Sequence, residues 1–167
     1  MKKLTDKFNL TDKFNLTDMI EKIEKKISCG IIVYTIEDGK YWFFVGHPGG
    51  QQKDYWALFK GIREFDEDHK DTAIREFTEE TGLSDIIINK DNLIDLGIVN
   101  QSRNKDVHAF AYKIKSRSQI KTKLCHSNMA DGCPWPEIDK FEWKEYSEII
   151  NKTHKTHKVF YDKILEL

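Results

Sequence analysis

Residues 61–83 read GIREFDEDHKDTAIREFTEETGL, and no other stretch limits the fold of this chain so tightly. Positions 69–81 carry a helical pattern, and Gly82 stands where a helix stops. With about 100° between successive residues, Ala73, Ile74, Phe77 and Thr81 gather on one side of that helix. Glu76, Glu79 and Glu80 gather on another side, roughly 120° away. Like charges at these spacings repel, at roughly 0.2–0.5 kcal/mol per pair. Arg75, four residues before Glu79, offsets only part of that. A helix built this way needs either free access to water or a counter-charge. A divalent cation is a fitting counter-charge, because hard cations take carboxylate oxygens and keep waters for a phosphate ligand. A plain solvated acidic face stays open as the alternative in a chain that is 33% charged.

Around this helix the chain alternates strands and helices. GIIVYTI (30–36) is β-branched and apolar, which favours a buried strand. The turn residues 37–40 join it to YWFFVGH (41–47) as a hairpin. Segments 93–99 and 107–114 read as two more strands, with a turn at Arg103-Asn104. IDKFEW (138–143) reads as a short strand, and 144–151 and 156–166 as closing helices. Strands interleaved with helices predict an α/β domain with helices on a mixed sheet. The hexapeptide LTDKFN occurs twice in residues 1–18, too short a period for a solenoid unit. That stretch reads as a low-complexity tail, 19–167 as one domain, and 19–26 as a short lead-in helix.

Composition excludes several classes. Lys+Arg total 27 against 28 Asp+Glu, so no basic surplus supports a general nucleic-acid grip. No run of about 18 apolar residues exists to span a membrane. The first residues lack the apolar core of a secretory signal. Cys29, Cys125 and Cys133 form no metal or redox spacing and leave an odd thiol, which points to a reducing cytoplasm.

The fixed positions Gly61, Glu67, Arg75, Glu76, Glu79, Glu80 and Gly82 stand at G-x5-E-x7-R-E-U-x-E-E-x-G-U, with Phe77 and Leu83 at the bulky sites. This pattern resembles the Nudix box, complete at every fixed position. The resemblance implies an α/β/α sandwich in which the box forms a loop, a helix and a loop. It also implies hydrolysis of a nucleoside diphosphate linked to another group, with Mg²⁺ or Mn²⁺ as cofactor. On that similarity Glu76 and Glu80 are the chief metal ligands, Glu79 stands close behind, and Gly61 offers its carbonyl. Arg75 and Glu67 pair to hold the loop and orient Glu76, and Lys60 reaches a substrate phosphate.

Relatives often add one acid outside the box, and Glu137, six residues before Trp143, is the candidate. His47, beside Gly49-Gly50, and Trp56 are candidate substrate contacts. Trp42, Tyr55 and Trp56 can all stack on a base, with core packing expected for at least two of them. His108, mid-strand, is expected to be a half-buried structural histidine.

The segments HPGG (47–50), WALFKG (56–61), WPEID (135–139) and FYDK (160–163) further resemble predicted NTP pyrophosphohydrolases similar to dinucleoside polyphosphate hydrolases. Two positions depart from that pattern. Phe59 stands where many relatives carry proline, and Asp66 where many carry glycine. Asp tolerates a left-handed backbone, so the loop is expected to survive. The proline of relatives acting on ADP-ribose is absent past the box, as is a tyrosine frequent in dinucleoside polyphosphate relatives. The expected partner is therefore a small nucleotide, a dinucleoside polyphosphate or a nucleoside triphosphate. An RNA cap or a diphosphoinositol polyphosphate is the rival substrate, and an inactive Nudix-like binding module the rival class.

Overall fold

The computed structural model describes residues 25–51, 53–84 and 86–167. The expected tail at 1–18 lies outside the described residues, as does most of the expected lead-in helix. The strands are β1 (Lys26–Glu37), β2 (Lys40–Pro48), β3 (Phe59–Ile62), β4 (Ile94–Ser102), β5 (Lys105–Lys113) and β6 (Ile138–Glu145). The helices are α1 (His69–Thr81), α2 (Tyr146–Ile149) and α3 (Lys158–Ile164).

The sheet runs β4-β5-β1-β2-β6, with β3 also paired to β1. β1 is the hub. Its first half, Ser28 to Ile31, pairs antiparallel with β3, and its second half, Val33 to Glu37, with β2. Along its other edge β5 runs parallel from Lys105 to Lys113. A strand flanked and covered on both faces must be apolar throughout, which is why GIIVYTI shows no alternation. The β1–β2 turn sets Asp38 and Gly39 at φ 52° and 73°, the paired left-handed residues that suit the twist of a tight hairpin.

Alternation along β1 sorts the core into two layers. Cys29, Ile31 and Val33 join Phe44, Phe59 and Phe110 against Ala73 and Phe77 of α1. Ile32 and Tyr34 join Phe43 and Val45 against Phe160, Tyr161 and Ile164 of α3. The result is the expected α/β/α sandwich. Phe77 anchors α1 by meeting Phe59 edge-on at 5.5 Å and Phe44 at 6.3 Å.

α1 has the predicted bounds. Asp68 caps its start, accepting from the backbone N–H groups of Lys70 and Asp71, and Gly82 ends it at φ 67°. The closing helices are shorter than their pattern predicts, and the first of them loses its opening residues to β6, which continues to Glu145. β3 was not expected. Its four residues are too few to show a period, and pairing with β1 alone defines it.

Candidate active site

The site is assembled from three pieces: the end of β3, the loop 63–68 and α1. β3 brings the Gly61 backbone against α1 so closely that a Cβ there would lie 2.0 Å from the Glu76 carboxyl carbon. A side chain there would push the Glu76 carboxylate aside. The Lys60 backbone N–H donates to Glu80 Oε2 at 2.7 Å, tying strand to helix a second time. In the loop Asp66 adopts φ 60°, so aspartate does occupy the left-handed position where relatives carry glycine.

Arg75 clasps these pieces together. Its Nε and Nη2 donate to both oxygens of Glu67 at 2.9 Å, a bidentate fork. Nη1 donates to Glu76 Oε1 at 2.7 Å and to Glu79 Oε2 at 3.1 Å, and Nη2 to the Ile62 carbonyl at 3.2 Å. Glu67 accepts further bonds from Thr72 Oγ1 at 2.8 Å and the Glu64 N–H at 3.2 Å. The Arg75 guanidinium, with these donors, holds the Glu67 carboxyl down at about 2.

Beside the clasp lies a cavity of about 560 Å³, whose walls include Lys60, Gly61, Arg75, Glu76, Glu80 and Glu137. Here the carboxylates are poorly compensated. Glu80 opens onto the cavity but is packed on its other sides, and desolvation pushes its carboxyl up to about 8 against the pull of Lys60. Burial also raises Glu76, Arg75 opposes it, and the charges of Glu79 and Glu137 add to the rise. Glu79 is exposed and bonded to Arg75.

The donors are all hard oxygens crowded where negative charge is costly, which fits a divalent cation. No three Asp, Glu, His or Cys side chains among the described residues are already gathered in ligand geometry. Glu76 lends one oxygen to Arg75, and its Oε2 makes no hydrogen bond among the described residues.

The cavity thus brings together Lys60, Gly61, Arg75, Glu76, Glu80 and the outlying Glu137. Four other expected residues do not line it: Glu67 and Glu79, which are bonded to Arg75, and Trp56 and His47. Trp56 is 2% exposed in the α3-side core, its Nε1 donating to Asp54 Oδ1 at 2.6 Å. His47 faces Asp139 Oδ1 at 2.7 Å and the Lys53 carbonyl at 2.9 Å, so both ring nitrogens are engaged. His108 is buried between His69 at 2.6 Å and Asp95 at 2.8 Å, as a structural histidine would be.

Sequence reasoning passed over Lys105. Burial lowers its pKa first, then the neighbouring charge of Lys60, while Glu80 opposes them. It feels the charges of both Lys60 and Glu80, but it does not line the cavity. Its position depends on the parallel register Lys26↔Lys105, which no local pattern encodes.

A family model for the NUDIX domain matches residues 25–166. The chain belongs to the Nudix family. A protein of Enterobacteria phage T4, described as an uncharacterized 17.7 kDa protein in the e-segB intergenic region, is 36% identical over 126 residues, 70% of this chain and 80% of that protein. Among solved structures, the *C. elegans* Ap4A hydrolase in a binary complex superimposes with a TM-score of 0.58 at 18% identity, covering 84% of this chain and 98% of that one.

The NUDIX domain of *Shewanella oneidensis* NrtR, complexed with ADP ribose, gives 0.62 at 12% identity, covering 95% and 99%. At such identities these likenesses show the fold. As a Nudix hydrolase the chain acts on phosphoric anhydride bonds, a class of reaction that generally uses divalent metal. No helix among the described residues is long and apolar enough to cross a membrane.

Proposed function

We propose that this Nudix hydrolase is a Mg²⁺- or Mn²⁺-dependent pyrophosphohydrolase of nucleotides, with a dinucleoside polyphosphate or a nucleoside triphosphate as substrate. The observation that carries the reading is the cavity itself. Glu76, Glu80 and Glu137 line one cavity there with the Gly61 backbone and Lys60. Glu76 and Glu80 would be the chief holders of the metal, with Glu79 and the Gly61 carbonyl as further oxygen ligands. When bound, the metal supplies counter-charge to the diphosphate and makes water a better nucleophile.

The remaining work belongs to the chain's own residues. Lys60, on the cavity wall, holds a substrate phosphate as a point charge. Glu137, exposed at the cavity wall, takes the proton from the attacking water. The Arg75–Glu67 clasp fixes the loop and aims Glu76. All three cysteines are free, in keeping with a reducing cytoplasm.

The test is a panel of dinucleoside polyphosphates, nucleoside triphosphates, ADP-ribose and capped RNA, assayed with Mg²⁺ and Mn²⁺ beside calorimetry of each metal. Phosphoric anhydride cleavage of a free nucleotide and saturable metal heat are expected. Turnover confined to capped RNA would replace the substrate reading. Absence of both turnover and metal heat would overturn it entirely.

A further inference from the structure

A second cavity, of about 460 Å³, lies just across Glu137 from the first. Pro136 and Ile138 line it, while Glu137 between them lines the carboxylate cavity, so the two hollows share one stretch of backbone. Its apolar surface is Pro136, Ile138 and Phe141, the last stacked on Phe59 at 6.1 Å. Its rim carries Lys123, His126 and Lys140. Lys140 is held by Glu142, and Asp139 by His47. Among the described residues, Lys123 and the His126 ring make no hydrogen bond or ion pair, and both are exposed.

His126 is firmly placed. Its backbone N–H donates to the Thr81 carbonyl at 3.0 Å. Its ring lies 2.4 Å from where a Gly82 Cβ would stand. The glycine that ends α1 therefore also seats this imidazole, fixing the second cavity relative to the helix that bears the carboxylates. Cys125 shares the wall, but burial pushes its thiol up to about 11, leaving it neutral rather than nucleophilic.

We infer that this cavity is a subsite for a nucleoside 5′-phosphate, the half of a two-ended substrate that leaves on the far side of Glu137. The volume suits one nucleotide. The apolar floor takes the base, and Lys123 with His126 takes the phosphate. The inference deepens the proposed activity by assigning its substrates a second nucleoside, and it rests on that reading.

Binding can be tested without turnover. Nuclear magnetic resonance on the metal-free full chain, titrated with 5′-AMP, should perturb the His126 ring and the Ser127 amide. Lys123→Glu should weaken that binding about fivefold or more, and adenosine or inorganic phosphate alone should bind more weakly than AMP. In hydrolysis, the same variant should raise KM for diadenosine tetraphosphate about fivefold, with kcat and the KM for ATP within about twofold of wild type. The inference fails if AMP leaves His126 and Ser127 unmoved, or if Lys123→Glu does not weaken its binding. Equal binding of phosphate alone, or equal KM changes for both substrates, also overturns it. Loss of all turnover with AMP still bound here would refute the proposed activity and the leaving-half role, separately from the binding site.

Discussion

The two sides of α1 handle the same residue type in opposite ways. At the clasp, Glu67 receives a bidentate guanidinium, a hydroxyl and a backbone N–H, and its charge is held well below the usual carboxylate range. At the cavity, Glu80 receives one backbone N–H within hydrogen-bond distance, and its charge is disfavoured. The clasp is a finished network that gains nothing from another ion. The cavity is an unfinished one, and folding bears that strain only because the clasp and the Phe77 anchor hold the helix in place. Stability and chemistry thus sit side by side where one helix meets the loop before it.

Removing a charge from the cavity should show the largest effect. Glu76→Gln keeps the acceptor for Arg75 but lowers kcat/KM about a hundredfold or more, on the order of 3 kcal/mol. The metal-free melting temperature should hold or rise slightly. Retention of more than about a third of wild-type activity would remove Glu76 from the ligand set. Weakening the clasp should instead cost both quantities. Arg75→Lys loses the fork to Glu67, so urea unfolding should report a loss of about 2 kcal/mol, with kcat down about tenfold. A variant as stable as wild type would mean the fork is ornamental.

The two regions also predict opposite slopes with pH in metal-free protein. Glu67, lowered from 4.5 to about 2, contributes stability that is complete above its unfolded value and is lost as pH falls toward 2. Glu80, raised from 4.5 to about 8, does the reverse: stability falls as pH rises from 4.5 to about 8. Each slope is at most about 1.4 kcal/mol per pH unit. Glu80→Gln should flatten the alkaline fall and Glu67→Gln the acid one, as read from chemical melts in a chelator. Unchanged slopes in both variants would erase the contrast. The smallest expected effect is at the helix start, where Asp68→Ala should cost about 1 kcal/mol through the lost cap, with activity within about twofold.

Much of this was legible before any coordinates, and the reasons are local. The bounds of α1, the left-handed Gly82 and Asp66, and the Asp38-Gly39 hairpin all follow from backbone preferences of one or two residues. The Arg75–Glu67 pair, Glu76 and Glu80 came with the resemblance of one segment to the Nudix box, and Glu137 with the acid that relatives carry outside it. What stayed hidden depends on distant partners. β3 exists only through pairing with β1, and Lys105 comes near the charges of Lys60 and Glu80 only through the parallel register of β5. His47 read as a substrate contact from its neighbours Gly49-Gly50 and Trp56 from a ring able to stack on a base, yet Trp56 fills the core and His47 spends both nitrogens on Asp139 and Lys53. An aromatic or imidazole group looks equally available in sequence whether tertiary packing consumes it or not.

The parallel pairing of β1 with β5 carries a consequence for how the protein is made. β1 leaves the ribosome early, but the strand that must cover its open edge ends only at Lys113. At roughly 5–20 residues per second, synthesis leaves that apolar edge bare for several seconds. The hairpin with β2 and the short β3 can close the other edge meanwhile, and they do so with contacts near in sequence. The nascent chain therefore passes through a stage in which its most hydrophobic strand is half-dressed, and growth at high temperature or high expression should divert it to aggregates at that stage. Folding yield, more than the stability of the finished molecule, is where this topology exacts its cost.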